Sequence, residues 1–340
     1  MGVLATYIHN WDPVLLDLFG PVKLRWYGLG YLFAFVFGFL MLRWLARKKL
    51  WVLPAEKVAD FIAYAAFFGV FLGGRLGYIV FYQMQTAQGR ADFAEDPLMV
   101  FRVWDGGMAS HGGILGLVLF TYFYARKQNV SWTGVGDGLC VVAPIGIALV
   151  RFANFINGEL YGRVAHGVSW AMKFPSALFE NGRASAAIRD GAELAPEVYN
   201  LAPAEENVTW TQGQLQFEQV QYLIEKSRED PELLQVLGQH LEARHPSQLY
   251  EGILEGVVLF AILFTLRVRV PQLAHGVITG LFFVLYAVFR IIVENYRQPD
   301  VGQAFILGLT KGQFYSTFMI VGGLCFIGFA LKRKQPLSKA

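Results

Sequence analysis

Charged residues gather at the ends of long apolar runs: His111 in WDGGMASHGG, Arg151 and Glu159 in RFANFINGELYGR, Arg290 and Glu294 in FRIIVENYRQPD. An ionised side chain inside the hydrocarbon layer costs about 3 kcal/mol or more, so several in one chain mark a working polar site. The planar fork of arginine suits bidentate binding of phosphate, and two arginines at an apolar interface can hold one lipid headgroup. Snorkelling toward lipid phosphates is the plain alternative for Arg151, and more so for Arg297. Arg290 and Glu294 are four apart on one helix face, where an ion pair is the simplest reading. Asn154 and Asn157 are three apart and offer amide donors and acceptors, with helix capping as the other role for Asn157.

His111 is flanked by Gly106, Gly107, Gly112 and Gly113, which permit close backbone or ligand approach. Its unperturbed pKa suits proton transfer near neutrality, and a structural hydrogen-bonding role weighs nearly as much. Arg75, mid-span in GVFLGGRLGYIVFY, needs a partner such as Asp105 or a carboxylate of another helix, and reads as structural. Tyr27 in RWYG reads first as an interfacial anchor beside Trp26. Glu251 in HPSQLYEG reads as a first-turn carboxylate favoured by the helix dipole.

Positioning such residues takes a membrane scaffold. The 340 residues are 55% hydrophobic and 16% charged, with a mean hydropathy of +0.40. Seven apolar runs, at about 26–43, 59–81, 107–125, 134–156, 248–266, 275–293 and 313–331, each approach the length that crosses a hydrocarbon core of ~30 Å. The expected fold class is therefore an all-α polytopic membrane protein of about seven transmembrane helices. Basic clusters follow the first, third, fifth and seventh runs (Arg43 to Lys49, Arg126 and Lys127, Arg267 and Arg269, Lys332 to Lys334), all on one side. The positive-inside rule makes that side the cytoplasm and puts the N-terminus and residues 158–247 outside. His111, Arg151 to Glu159, HPSQLYE and Arg290 to Arg297 then share the outer side, while the inner halves are almost wholly apolar apart from Arg75.

The expected organisation is 1–157 with an N-terminal helix and spans one to four, a small periplasmic head domain at 158–247, and 248–340 with the last three spans and a cytoplasmic tail. Between Val164 and Arg244 the head holds twelve acidic and six basic residues. Its middle, NGRASAAIRDGAELAPEVYNLAPAEEN, reads as loop. Leu215, Val220 and Leu223 have helical spacing, with a break at Pro231 and a second short helix beyond. WDPVLLDL reads as a short surface helix with Trp11 and Leu15 toward lipid. No cleaved signal peptide is expected, since the N-terminus lacks a basic start and an unbroken apolar core.

The net charge of +3 gives no basis for nucleic-acid binding. Cys140 and Cys325 lie in apolar runs without metal-ligand spacing, and read as packing residues. A P-loop and H-E-x-x-H are both absent, so no cofactor and no metal are expected.

Taken together, RWYG, WDGGMASHGG, RFANFINGELYGR, HPSQLYEG and FRIIVENYRQPD resemble the bacterial phosphatidylglycerol–prolipoprotein diacylglyceryl transferase family, from about Pro13 to Leu331 and interrupted at about 165–243. The resemblance implies an inner-membrane enzyme that transfers the diacylglyceryl group of phosphatidylglycerol to the lipobox cysteine of a preprolipoprotein, the first step of lipoprotein maturation, releasing glycerol phosphate. It implies no cofactor, and as partners phosphatidylglycerol, the lipobox-bearing signal peptide and membrane lipid. The family's functional positions fall here on Tyr27, His111, Arg151, Asn154, Glu159, Gly162, Arg290 and Glu294, with Arg297 contributing. Val150 and Ala153 stand where the family often has glycine, Ser110 where a larger residue is common, and the outer insertion reads as longer than usual. Arg151 and Arg290 would hold the departing phosphate, and His111 or a carboxylate such as Glu294 would accept the thiol proton. A lipid or small-anion transporter is the alternative from another class, though its polar residues should continue through the inner half.

Overall fold

The computed structural model describes residues 6–19, 22–102, 106–180, 183–201, 211–298, 306 and 308–333. In chain order, a hairpin of β1 (Val14–Phe19) and β2 (Val22–Arg25) is followed by α1 (Trp26–Arg47), α2 (Ala55–Gln85), α3 (Ala87–Glu95) and α4 (Ser110–Lys127). Next come α5 (Trp132–Ile156), α6 (Ala184–Gly191), α7 (Gln212–Lys226), α8 (Pro231–Gln239), α9 (Ser247–Arg269), α10 (Val277–Glu294) and α11 (Lys311–Arg333). Six of these, α1, α2, α5, α9, α10 and α11, are long and apolar enough to cross a membrane. Large side chains stay exposed along them, including Leu40, Phe67 and Phe318, as a surface solvated by lipid tails requires. The chain is a polytopic, mostly helical membrane protein.

The third expected run, 107–125, forms helix α4, which is not among those six. Its glycines, His111, Arg126 and Lys127 dilute the apolar run, so composition alone does not single it out. The hairpin replaces the surface helix expected at WDPVLLDL: β1 pairs antiparallel with β2, Val14 opposite Arg25 and Phe19 opposite Val22. Proline at position 21 cannot continue a helix, and the apolar residues before it find main-chain partners in the segment after it.

The contacts divide the chain into two compact units, Met1–Phe33 with Gly146–Val258 and Tyr286–Phe318, and Ala34–Ile145 with Leu259–Leu285 and Met319–Ala340. In the second unit, α2 and α4 meet along glycines. A Cβ on Gly73 would lie 2.7 Å from the Gly112 carbonyl oxygen, and one on Gly112 2.6 Å from the Gly77 Cα. Small residues at every fourth position let two membrane helices bring their backbones into contact. Arg75 is 4% exposed, and its hydrogen-bond partners among the described residues are backbone carbonyls. Its guanidinium donates to the carbonyls of Met99, Val100, Gly106 and Gly107, tying down the chain that leads into α4. Asp105 lies outside the described residues.

The span ends expected to face inward are also less apolar than expected. Asp137 and Arg267 form an ion pair at 3.1 Å with both side chains 2% exposed or less. Asp137 also accepts from the backbone of Gly276 and Thr279 and from the Thr279 hydroxyl, each at 2.8 Å. Arg267, read from sequence as a topology signal, is a buried structural cation.

The first unit contains a water-soluble type of core, in which Ile8, Phe174, Leu178, Ile188, Val220, Leu223, Leu233 and Leu237 pack together. A capping box at Thr211 starts α7, and Asp230 caps α8 ahead of Pro231, as the helical spacing and the proline break predict. The loop expected after Asn181 instead contains α6, because alanines are strong helix formers and Ala187 and Ile188 have a core to enter.

Candidate functional site

The polar constellation begins at the end of α5. Gly158, at φ +65°, closes the helix in a left-handed turn, with its N–H donating to Phe155 O at 2.9 Å and Glu159 N–H to Asn154 O at 3.1 Å. This glycine-terminated cap reverses the chain. The Glu159 carboxylate therefore folds back onto the helix face that carries Asn154, accepting from Asn154 Nδ2 at 2.7 Å and Asn157 Nδ2 at 3.3 Å. One turn earlier on that face, Arg151 reaches the Asn154 amide oxygen at 3.5 Å.

Helices α9 and α10 supply the rest. Ser247 and Gln248, in the first turn of α9, donate to the carbonyls of Leu160 and Glu159 at 3.0 and 2.6 Å, which fixes α9 against the end of α5. Close contact continues inward, where a Cβ on Gly256 would lie 2.5 Å from the Ala148 Cβ. Beyond Glu251 the helix widens to a π turn over Gly252–Val258, a deformation common at functional sites. Glu251 and Glu255 are fully buried.

Oxygen Oε2 of Glu251 lies 2.6 Å from Arg151 Nε and 3.2 Å from Arg290 Nη1, and Oε1 is 4.0 Å from Arg297 Nε. Arg290 also faces Glu255 at 3.7 Å and Glu294 at 3.1 Å, the latter being the ion pair that the four-residue spacing predicts. The Thr310 hydroxyl donates to Glu294 at 2.9 Å. A Cβ on Gly312 would come within 2.8 Å of that carboxyl group, so a larger residue there would push the Glu294 carboxylate aside. The three arginine side chains keep 13–19% exposure beside carboxylates that have 8% or less, as cations open to an incoming anion would.

Other expected residues fall around this cluster. Tyr27 meets Tyr31 edge to face, with ring centroids 5.3 Å apart. Gly162 belongs to a knot of extended chain, bridged to Arg297 and bonded to His245 O at 2.8 Å. A Cβ there would strike the carbonyls of Tyr296 and His245, so its role in the structure is packing. Arg163 anchors the same knot through Arg297 O at 2.9 Å. Buried Arg244 pairs with Glu180 at 2.8 Å, and Glu180 accepts from Tyr161. Burial and that bond hold the Tyr161 hydroxyl above its ordinary pKa. Next to Glu159 opens a polar cavity of about 240 Å³ lined by His9, Arg25, Asn157 and Arg228. His9 is 3% exposed, and burial pushes its pKa down to about 4.

Thus the first unit brings together Tyr27, Arg151, Asn154, Asn157, Glu159, Gly162, Arg290, Glu294 and Arg297. His111 belongs to the second unit, exposed in the first turn of α4. Glu251 exceeds its expected part as a dipole-favoured carboxylate, and Glu255 and Tyr31 escaped notice. The available signal was spacing: Glu251 and Glu255 are four apart inside an apolar run, as are Tyr27 and Tyr31.

Comparison with known proteins agrees with this geometry. The sequence profile of the family described as prolipoprotein diacylglyceryl transferase matches residues 13–329. A protein of Serratia proteamaculans named phosphatidylglycerol–prolipoprotein diacylglyceryl transferase is 38% identical over 97% of this chain and 97% of its own length. Relatives of the same name from Sodalis glossinidius and Erwinia tasmaniensis are also 38% identical, covering 97% and 98% of this chain. The alignments cover 97% and 96% of those relatives' own lengths. The match runs through every element that builds the arginine–carboxylate cluster, and the chain is a member of the prolipoprotein diacylglyceryl transferase family.

Proposed function

We propose that this protein transfers the diacylglyceryl group of phosphatidylglycerol to the lipobox cysteine thiol of a preprolipoprotein signal peptide, forming a thioether and releasing glycerol phosphate. The observation that carries this reading is the convergence of Arg151 and Arg290 on one buried point within a family-matched membrane chain. In the reaction, sulfur attacks the glyceryl carbon, the carbon–oxygen bond to phosphate breaks, and its electron pair leaves on the phosphate. Guanidinium groups already held in place in a low-dielectric site stabilise that developing charge without reorganising. The thiol must lose its proton to be a nucleophile, and His111 or a carboxylate of the cluster takes it. Tyr27, Asn154, Glu159 and Arg297 orient the headgroup and its neighbours.

In this reading the protein lies in the bacterial inner membrane with N-terminus and head domain (158–247) in the periplasm and C-terminus in the cytoplasm, an orientation that the basic clusters support. Both substrates have apolar parts in the bilayer and enter laterally between helices. The test is incubation of purified protein with phosphatidylglycerol and a lipobox peptide, followed by mass spectrometry. The expected result is one diacylglyceryl adduct on cysteine with stoichiometric glycerol phosphate. Lipid transport or hydrolysis without a thioether would overturn the reading.

A further inference from the structure

Within the arginine cluster the charges cancel. Among the described residues, Arg151, Arg290 and Arg297 face Glu251, Glu255 and Glu294, and Glu159 stands one amide further out on Asn154. Adding an anion to a buried set with no positive surplus means taking up unpaired negative charge in a low-dielectric place, which is strongly unfavourable. A phosphate can therefore enter favourably by exchange with a carboxylate already there.

The three carboxylates are not held alike. Glu294 has the Thr310 hydroxyl as well as Arg290, and Gly312 closes in behind it. Glu255 stands 3.7 Å from Arg290 with the Tyr286 hydroxyl beside it. Neither Glu251 nor Glu255 has an oxygen that accepts a hydrogen bond of regular geometry, but Glu251 alone of the three has ion-pair contacts to Arg151, Arg290 and Arg297 together. It is also the carboxylate shared by both guanidinium groups assigned to the lipid phosphate. A phosphate gripped by those two groups would therefore take the place of Glu251.

We infer that Glu251 is an internal stand-in for the substrate's phosphate, a positioning residue that keeps Arg151 and Arg290 converged and is exchanged for the phosphate when the headgroup enters. This rests on the proposed function, in which those two arginines bind the donor's phosphate. The exchange gives the arginines a charge-balanced partner both before the lipid arrives and after glycerol phosphate leaves. It also means that part of the headgroup's binding energy goes into moving Glu251, so the apparent affinity lies below the intrinsic one.

The test is equilibrium binding of radiolabelled glycerol phosphate to the purified full-length protein in detergent, which needs no turnover. Glu251→Gln is isosteric and removes the competing charge. Its dissociation constant is expected to fall by about tenfold relative to wild type. A merely structural carboxylate would give weaker binding on neutralisation, because the arginines would lose their organiser. An unchanged or raised constant in a folded Gln variant overturns the inference. Should that variant fail to fold, Glu251→Asp keeps the charge but shortens the reach to both guanidinium groups, and it too should bind glycerol phosphate more tightly; an unchanged or raised constant there overturns the inference equally. Wild-type protein that makes no thioether refutes the function itself, whereas wild-type transfer with unaltered variant affinity refutes the stand-in alone.

Discussion

Replacing Asp137 by asparagine should destabilise the protein severely while barely changing the volume of the side chain. In the native structure Oδ1 accepts from Thr279 N–H and its hydroxyl, and Oδ2 accepts from Gly276 N–H at 2.8 Å and Arg267 Nη2 at 3.1 Å. Asparagine keeps one of these oxygens. Its amino group, in place of the other, would point donors at an N–H and at a guanidinium. Arg267 would then be a buried cation without a counter-charge, and its Nε and Nη1 already lack hydrogen-bond partners. Breaking a buried pair in this way costs about 3–5 kcal/mol, a drop in Tm of roughly 4–7 °C at the usual conversion for a chain of this size. The assay is thermal unfolding of detergent-purified protein followed with a thiol-reactive dye, since Cys140 lies one turn beyond Asp137 on the same helix. The double variant Asp137→Asn with Arg267→Met removes the orphan cation and should recover at least about half of the loss. A single variant within about 2 °C of wild type, or a double variant no more stable than the single one, would refute the claim that this pair is a structural keystone.

Arg290→Lys should lose more than about a hundredfold in thioether formation, because an ammonium ion cannot replace a fork that spans several carboxylates and a phosphate; turnover within about twofold of wild type would remove the clamp role. His9, pushed down to about 4, binds its proton less readily folded than unfolded, so the stability it contributes is present above about pH 6.5 and lost as pH falls toward 4. At the full shift that is about 3 kcal/mol, visible as a declining Tm, and His9→Gln should flatten the decline. In a background lacking Cys140 and Cys325, cysteine at exposed Glu193 should react with a membrane-impermeant maleimide in spheroplasts and cysteine at Gln128 should not; the reverse pattern inverts the proposed orientation. Gly73→Val should force α2 and α4 apart, with a stability loss of about 2 kcal/mol or more; unchanged melting and activity would contradict the seam.

The arginines and their neighbours were readable in the sequence because a charge inside an apolar run has few ordinary explanations. Arg151, Asn154, Glu159, Arg290 and Glu294 all enter one cluster for that reason. Glu251 was not, since an acid in the first turn of a helix is unremarkable until its burial and three cations are seen. Asp137 and Arg267 were missed by the same logic reversed: an arginine after a span looks like a topology signal, and the acid that pairs with it lies 130 residues away. Helical spacing with caps located α7 and α8, whereas α6 gives only small residues to read. Pairing across a turn, as in β1 and β2, has no local periodicity that separates it from a short amphipathic segment.

The glycine contact between α2 and α4 has a mechanical side. Two helices meshed backbone to backbone have no side-chain layer that can shear by small amounts. Sliding by one residue would bring a Cβ against a carbonyl at each crossing, so the seam offers registers four residues apart, separated by about 6 Å, and nothing between them. His111 stands one residue before Gly112, the first tooth of this rack. Its height in the bilayer is therefore an indexed quantity, set by which glycine of α2 its neighbour engages. A hydrophobic mismatch that would tilt or shift a lone helix must instead carry α2 and α4 together, with the imidazole fixed on the moving pair.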